Sequence, residues 1–207
     1  MRTLCFIDAA NLFYGGLKSL GWKIDYQKLR LYLIGKYGAE ELHYFGGVEI
    51  YDFEFDPLTT EAVPVWALAR FLEVKLQTFR GSKQDFVELH KNYERVKFFR
   101  KLAEFGYVLH LKPVKTFRDG EQIKKKANCD VDMTFYMMRD LAKFDRLIVL
   151  SGDGDFLIVL KYLRSLGKEV LIMSRGERTA KEIKRFAGND FIHFEYLREA
   201  LKLKPKN

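Results

Sequence analysis

The 207-residue chain predicts an α/β fold built on a mostly parallel sheet, and two features of the sequence carry that reading. From residue 130 onward short apolar runs alternate with helical periods: helix 130–143, strand Leu147–Leu150, helix 155–166, strand Glu169–Met173, helix 179–187, strand Phe191–Phe194 and a closing helix 195–202. Strands and helices alternating at this spacing imply parallel strands joined by right-handed crossovers. At the other end, Leu4 to Ile7 is apolar at every position, as a strand covered on both faces must be, and it runs directly into Asp8.

The elements between these regions follow in order. Leu12 to Leu20 has a helical period, and Tyr26 to Tyr37 is helical between Gly35 and Gly38. Leu42 to Ile50 is rich in strand formers, with Gly46 and Gly47 marking a bulge, a kink or the strand's end. Residues 51–63 form an acidic loop, followed by helices over Val65–Leu76 and Asp85–Phe105, the second closed by Gly106. Tyr107 to Leu111 is a strand stopped by Pro113, and the lysine-rich stretch 113–128, which has no period, reads as a mobile loop. No repeat or linker divides the chain, so a single domain is expected over residues 1–203, with 204–207 as a frayed tail.

Hydrophobic residues at 48%, with 18 Phe and 11 Tyr, place the chain among globular proteins; most of the rings fill a core, and a few exposed ones would be available to stack on bases. No apolar run reaches the roughly 20 residues that cross a bilayer, and the N-terminal MRTLCFIDAAN lacks the apolar stretch of a signal peptide, so no membrane partner is expected. Cys5 and Cys129, far apart in sequence, suggest reduced thiols and a cytoplasmic location. His43, His90, His110 and His193 show no metal-ligand spacing, which argues against zinc. The net charge of +8 favours a polyanionic partner, because each neutralised phosphate releases condensed counterions.

In an open parallel sheet the functional crevice lies beyond the carboxyl ends of the strands, near the point where strand order reverses. Asp8 ends the first strand, in Phe6-Ile7-Asp8-Ala9-Ala10-Asn11, and Asp153 and Asp155 follow the apolar strand Leu147–Leu150, in Ser151-Gly152-Asp153-Gly154-Asp155. If these strands are neighbours, as in a 3-2-1-4-5 order, the carboxylates converge. Asp130 opens a helix whose inward stripe is Met133, Met137, Leu141 and Phe144, and it lies on that stripe. Asp132 is about 200° around the helix from it, which makes it a solvent-facing or capping neighbour. Each acid also has a plainer role open to it: Asp8 or Asn11 could cap the helix near Leu12, Asp155 could cap the helix after it, and Ser151 could be an ordinary turn hydroxyl. Gathered at one edge, however, the carboxylates would repel and raise one another's pKa unless a cation neutralised them. All-oxygen donors suit Mg²⁺ or Mn²⁺, which can activate water for phosphodiester cleavage and stabilise charge on the leaving oxygen. Ser-His-Asp order, a reactive cysteine setting and a Walker-type loop are all missing.

These segments, with Cys129-Asp130-Val131-Asp132 and Leu163-Arg164-Ser165-Leu166-Gly167-Lys168-Glu169-Val170, strongly resemble the NYN (LabA-like) domain, a branch of the PIN-like nuclease superfamily. The resemblance is specific over residues 3–15 and 126–175 and weak over 50–107, which would be an elaboration particular to this chain. It implies a Rossmann-like PIN fold with core order 3-2-1-4-5 and Mg²⁺- or Mn²⁺-dependent cleavage of RNA. Carried over by position, Asp8, Asp130, Asp153 and Asp155 would be the catalytic metal-binding acids, with Asn11 and Ser151 as polar supports. One departure is Ala127-Asn128-Cys129, which stands where the family usually has Lys-Gly-hydrophobic, although the acid after it is kept.

The substrate would be single-stranded or loop RNA, whose backbone is exposed. Candidate RNA contacts are Lys115 and Arg118, with Phe117 between them for stacking, the run Lys124, Lys125 and Lys126, and a second basic patch at Arg175 and Arg178 that continues through Lys181, Lys184 and Arg185. HAD-type phosphatases need a second Asp where this chain has Ala10, and the Toprim fold opens with a Glu motif that is missing; both are disfavoured. A catalytically silent RNA-binding or protein-interaction module on the same fold is the alternative, with the acidic loop 51–63 as its contact. A homodimer is compatible with a basic nuclease of this size.

Overall fold

The computed structural model describes residues 1–14, 21–119 and 122–204, with the backbone alone described for 13–14, 117–119 and 122–126. Its six-stranded sheet comprises β1 (Thr3–Asp8), β2 (Ala39–Val48), β3 (Val108–Pro113), β6 (Arg146–Leu150), β7 (Glu169–Ser174) and β8 (Phe191–His193), in the order β3-β2-β1-β6-β7-β8. A separate antiparallel hairpin contains β4 (Lys115–Asp119) and β5 (Gln122–Lys126). The helices are α1 (Ala9–Tyr14), α2 (Tyr26–Tyr37), α3 (Val65–Gln77), α4 (Lys83–Glu104), α5 (Asp130–Arg139), α6 (Leu157–Ser165), α7 (Lys181–Ala187) and α8 (Arg198–Leu201). Counted without the hairpin, β3-β2-β1-β6-β7 is the expected 3-2-1-4-5 order, and β8 extends it at the edge.

Contacts divide the chain into two units: Met1–Phe45 with Cys129–Asn207, and the intervening Gly46–Asn128. In the first unit β1 pairs in parallel with β2 and β6, β6 with β7, and β7 with β8. Every residue of β1 is buried, as its unbroken apolar run requires. Phe6 stacks on His43 at 4.8 Å and on Phe45 at 5.5 Å, while Tyr44, on the opposite face of β2, meets Tyr26 of α2 at 6.1 Å. Helices therefore cover both faces. Met133 and Met137 are buried as their helical phase predicts, joined by Tyr136; Phe144 is buried too but extended, beyond the helix, and Leu141 is only half-buried. It sits in a 3₁₀ turn, Leu141–Lys143, that begins after α5 has already ended at Arg139.

Local chemistry sets the helix ends. At the start of α2, Asp25 accepts N–H bonds from Gln27 and Lys28; at its end Gly38 adopts a left-handed φ of 64° that an L side chain resists. The expected span, 26–37, is the observed one. In the stretch 155–166 the first turn is 3₁₀ (Gly154–Phe156) and α6 begins only at Leu157, while the closing stretch 195–202 is mostly the 3₁₀ turn Phe194–Leu197 before α8.

In the second unit α3 packs against α4, and residues 113–128 form the β4–β5 hairpin instead of the expected loop. The pairing of Asp119 with Gln122 leaves two residues to connect the strands. Those two residues, Gly120 and Glu121, lie outside the described residues. Gly47 is glycine for want of room: a Cβ there would stand 2.5 Å from the Ala127 Cβ and 3.0 Å from the Val114 Cγ2. The second half of the Leu12–Leu20 helix (residues 15–20) and residues 205–207 of the expected tail lie outside the described residues. No helix among the described residues is long and apolar enough to cross a membrane.

Candidate active site

The carboxyl ends of β1, β6 and β7 meet in a chain of hydrogen bonds centred on Asp8. Because β1 is covered on both faces, its last residue is held 5% exposed despite its charge. Asp8 Oδ1 accepts the N–H groups of Ala10 (2.9 Å) and Asn11 (3.1 Å), so Asp8 ends the strand and caps α1 at once. Its Oδ2 accepts the Ser151 hydroxyl at 2.9 Å, and Ser151 Oγ in turn accepts the Asp153 N–H at 3.2 Å. Burial pushes the Asp8 carboxyl above its ordinary pKa; the hydrogen bonds from Asn11, Ser151 and Ala10 oppose the shift, and the charge of Asp153 adds to it. Asp8 and Asp153 thus sense one another across Ser151.

A second layer fixes the loops. Asn11 Oδ1 accepts the Gly152 N–H at 3.2 Å, and the Ser174 hydroxyl lies 3.5 Å away. The Arg175 guanidinium donates to the Asn11 carbonyl at 2.7 Å, and the Arg175 carbonyl accepts the Thr179 hydroxyl at 2.6 Å. Arg175, expected on an outer basic patch, is in fact buried. Desolvation, with the nearby charge of Arg178, lowers its pKa, yet a guanidinium stays protonated. Arg178 is exposed, as a nucleic-acid contact would have to be.

Asp153 is half-buried, and its Oδ1 accepts the Asp155 N–H at 3.0 Å, so the cap at this turn is Asp153 and not Asp155. Asp155 is exposed at the rim. Asp130 begins α5, which packs against β1 and against the 154–156 turn, so it stands at the same edge. It is half-buried, and so is Asp132, so burial does not separate the two as helical phase predicts. Among the described residues no three acidic, histidine or cysteine side chains are gathered closely enough to hold a metal ion as a finished cluster. The arrangement is one deep carboxylate, Asp8, with Asp153 beside it and Asp155 and Asp130 around the mouth.

Lys115 is exposed; the side chains of Arg118, Lys124, Lys125 and Lys126 lie outside the described atoms, though the backbone register sets Lys115 opposite Lys126 and Thr116 opposite Lys125. Sequence reasoning missed Ser174, Thr179 and Glu182. Ser174 and Thr179 are buried hydroxyls flanking Gly152, and Glu182 Oε1 would lie 2.6 Å from a Cβ placed on Gly154. A polar residue ending an apolar strand, Ser174 after Glu169–Met173, was the available signal.

Fold and site define the chain as a Rossmann-like α/β protein whose polar, carboxylate-bearing edge sits where strand order reverses. The NYN domain family model matches residues 2–195, and the chain belongs to that family. It is similar to the low amplitude and bright protein LabA of Synechococcus elongatus, with 23% identity over 206 residues, 97% of this chain and 88% of that protein. Among solved structures, VPA0982 of Vibrio parahaemolyticus, a protein of unknown function, superposes with a TM-score of 0.61 over 98% of this chain and 96% of that one at 17% identity. The T5 D15 flap endonuclease, crystallised with DNA and metal ions, superposes with a TM-score of 0.44 at 15% identity, over 96% of this chain and 60% of that one.

Proposed function

We propose that this protein is a divalent-metal-dependent ribonuclease that hydrolyses RNA phosphodiester bonds at the edge around Asp8. Membership of a PIN-like nuclease family supports a nuclease, and the buried Asp8–Ser151–Asp153 chain is the observation that carries the site assignment. The donors fit Mg²⁺ or Mn²⁺: they are hard oxygens, and such ions need only one or two carboxylates because they keep several waters. Asp8 Oδ1 is taken by two N–H donors, whereas Oδ2 accepts a single hydroxyl among the described residues and keeps acceptor capacity. When bound, the ion lowers the pKa of water and stabilises negative charge on phosphate and leaving oxygens.

The residues of the chain divide the remaining work. Asp8 is the fixed ligand, pre-oriented by backbone N–H groups. Ser151 locks the angle between Asp8 and the Asp153 segment. Asp153, Asp155 and Asp130 complete the donor set from the mouth, with Asp132 beside Asp130. Asn11 and Arg175 hold the loops in register. Exposed Arg178 supplies charge for the RNA backbone in the first unit; in the second unit Lys115 and the lysine-rich hairpin with Arg118, Lys124, Lys125 and Lys126 form a basic element of their own, whose like-charged Lys115–Lys126 pair suits a polyanion better than it suits an isolated fold. Cys5 and Cys129, both buried thiols outside any disulfide, fit a reducing cytoplasm.

The test is cleavage of labelled single-stranded RNA, with DNA of the same sequence alongside, in Mg²⁺ or Mn²⁺ by wild type, Asp8→Asn and Asp153→Asn. The variants should lose activity by orders of magnitude while keeping the wild-type circular dichroism. Equal cleavage by all three would sink the site assignment, and DNA cut as fast as RNA would sink the substrate assignment. RNA binding that survives chelation, with no cleavage in Mn²⁺, would identify a silent binding module.

A further inference from the structure

The last strand and the turn after it bring an exposed aromatic ring to the edge that holds the candidate active site. Register pairs Ser174, the final residue of β7, with His193, the final residue of β8, so His193 ends its strand at the same carboxyl edge as Asp8 and Ser151. The 3₁₀ turn Phe194–Leu197 begins at the next residue. Phe194 and Leu197 are buried, and the Glu195 carboxylate accepts the Trp22 indole N–H at 3.3 Å and an Arg198 N–H at 3.4 Å. Three of the four residues of the turn are thereby anchored. The fourth, Tyr196, is 86% exposed; the next most exposed Phe, Tyr or Trp among the described residues, Phe135, is 56% exposed.

The ring is braced from beneath. Tyr196 lies 5.5 Å from the His193 ring, tilted by 46°, and His193 meets Phe191 edge-on at 6.5 Å. His193 is fixed in turn: its Nδ1 accepts the Glu195 N–H at 3.0 Å, and its ring fills the space that a Cβ on buried Gly176 would need. With Nδ1 an acceptor, the proton of the neutral imidazole sits on Nε2, and no described residue accepts it. A ring held in this way loses little freedom when another ring stacks on it.

The order β1-β6-β7-β8 sets His193 three strand spacings from Asp8, about 14 Å at ~4.8 Å each. Between them stands the 3₁₀ turn Gly176–Arg178, whose exposed Arg178 has no ion-pair partner among the described residues. A strand with stacked bases rises about 3.4 Å per nucleotide, so a chain held at Asp8 reaches Tyr196 within about four nucleotides. On the way Arg178 meets phosphate charge, and the His193 Nε2–H offers a donor beside the ring. One ring flanked by polar groups presents far less than the ~800 Å² that a protein partner covers, but it matches the face of a single base.

We propose that Tyr196, braced by His193, is a stacking platform for one base of the RNA strand, a few nucleotides from the bond that is cut. The inference rests on the ribonuclease reading for its ligand, and its test is binding, which is separable from cleavage. Fluorescence anisotropy follows a labelled single-stranded RNA of about ten nucleotides in Mg²⁺, with Asp8→Asn in every protein so that the RNA survives. Adding Tyr196→Ala should weaken binding about 5- to 150-fold, the loss of one stacked base, whereas Tyr196→Phe keeps the ring and should bind as the parent does. Tyr162→Ala, which removes an exposed ring on α6, is the control and should change nothing. A base-free RNA of the same length should bind the parent and Tyr196→Ala equally. With Asp8 intact, Tyr196→Ala should raise KM for cleavage and leave kcat unchanged, because a remote stacked base contributes equally to ground and transition states. Unweakened binding by Tyr196→Ala, in a protein whose Asp8-intact form cleaves RNA, would overturn the platform and leave the nuclease reading standing. A loss that Tyr196→Phe shares, or that persists on base-free RNA, would overturn it in favour of a hydroxyl–backbone contact. Binding weakened by Tyr196→Ala in a protein that never cleaves would uphold the platform and overturn the nuclease reading; a parent that binds no RNA would overturn both.

Discussion

Gly152→Ala tests whether tight packing beneath the Ser151–Asp155 turn sets the geometry of the site. Gly152 does not adopt a left-handed φ, so its need for glycine is one of space. A methyl there would stand 2.6 Å from Ser174 Oγ, 2.7 Å from Thr179 Oγ1 and 2.9 Å from Thr179 Cα. The last of these is backbone and cannot rotate away, and the Thr179 hydroxyl is committed to the Arg175 carbonyl at 2.6 Å. Either the 175–180 loop or the 151–155 turn must move. Overpacking of this kind costs about 1–3 kcal/mol, a fall in Tm of about 2–12 °C for a domain of this size. Because Gly152 also ties Asn11 Oδ1 to the Ala180 N–H, a shift propagates to Asp8 and Asp153; a displacement of about 1 Å at reacting groups costs about 10²-fold in rate. The control is Gly35→Ala, in the last turn of α2 with nothing within 4 Å of its Cβ position, which should gain up to about 0.5–1 kcal/mol. Thermal melts and RNA cleavage read both. Gly152→Ala with wild-type Tm and rate would refute the reasoning.

Other outcomes follow from buried polar groups. Ser151→Ala removes the hydroxyl between Asp8 Oδ2 and the Asp153 N–H, and should cost about 1–3 kcal/mol in urea unfolding, more than a Ser165→Ala control on the exposed end of α6. Asp140 is 1% exposed and paired with Arg139 at 2.8 Å and Lys143 at 2.9 Å; its hydrogen bonds with Arg139 lead in holding its pKa at about 2. Since its folded pKa is depressed, that stabilisation is complete above the ordinary 3.8 and is lost as pH falls toward 2. The fall corresponds to at most about 2 kcal/mol, less because both partners reach solvent, so the stability gap between wild type and Asp140→Asn should narrow between pH 5 and about 2; a constant gap would contradict it. Cys5 is fully buried and burial raises its pKa, so a thiol reagent at pH 8 should modify it no faster than global unfolding.

The elements that position the site were the legible ones. An unbroken apolar run followed by an acid, as at Leu4–Asp8 and Leu147–Asp153, admits few placements in a parallel sheet, and α2 was bracketed by Asp25 and Gly38. The hairpin was not legible because its lysines supply no hydrophobic alternation. Helical phase singled out Asp130 over Asp132, yet both are half-buried in the first turn of α5. Arg175 looked like surface charge because composition cannot reveal that a guanidinium turns back onto the Asn11 carbonyl. Glu182 was illegible for the same reason: its closeness to Gly154 depends on how the 175–180 loop is folded back by Thr179 and Ala180.

The hydrogen bond between Ser151 and Asp8 spans 143 residues, and those made by Ser174 and Arg175 reach further still. Asp8 is made before Ser151, whose hydroxyl joins the local Ala10 and Asn11 N–H groups in orienting it. Closing loops of that length is slow and yields nothing until the parallel strands have paired. A nascent or truncated chain therefore carries the first carboxylate without its neighbours, and an unfolding molecule loses the whole edge together with the β1–β6 pairing. The proposed site exists only in the folded molecule: a chain that stops before Ser151 carries Asp8 without the hydroxyl that orients its Oδ2.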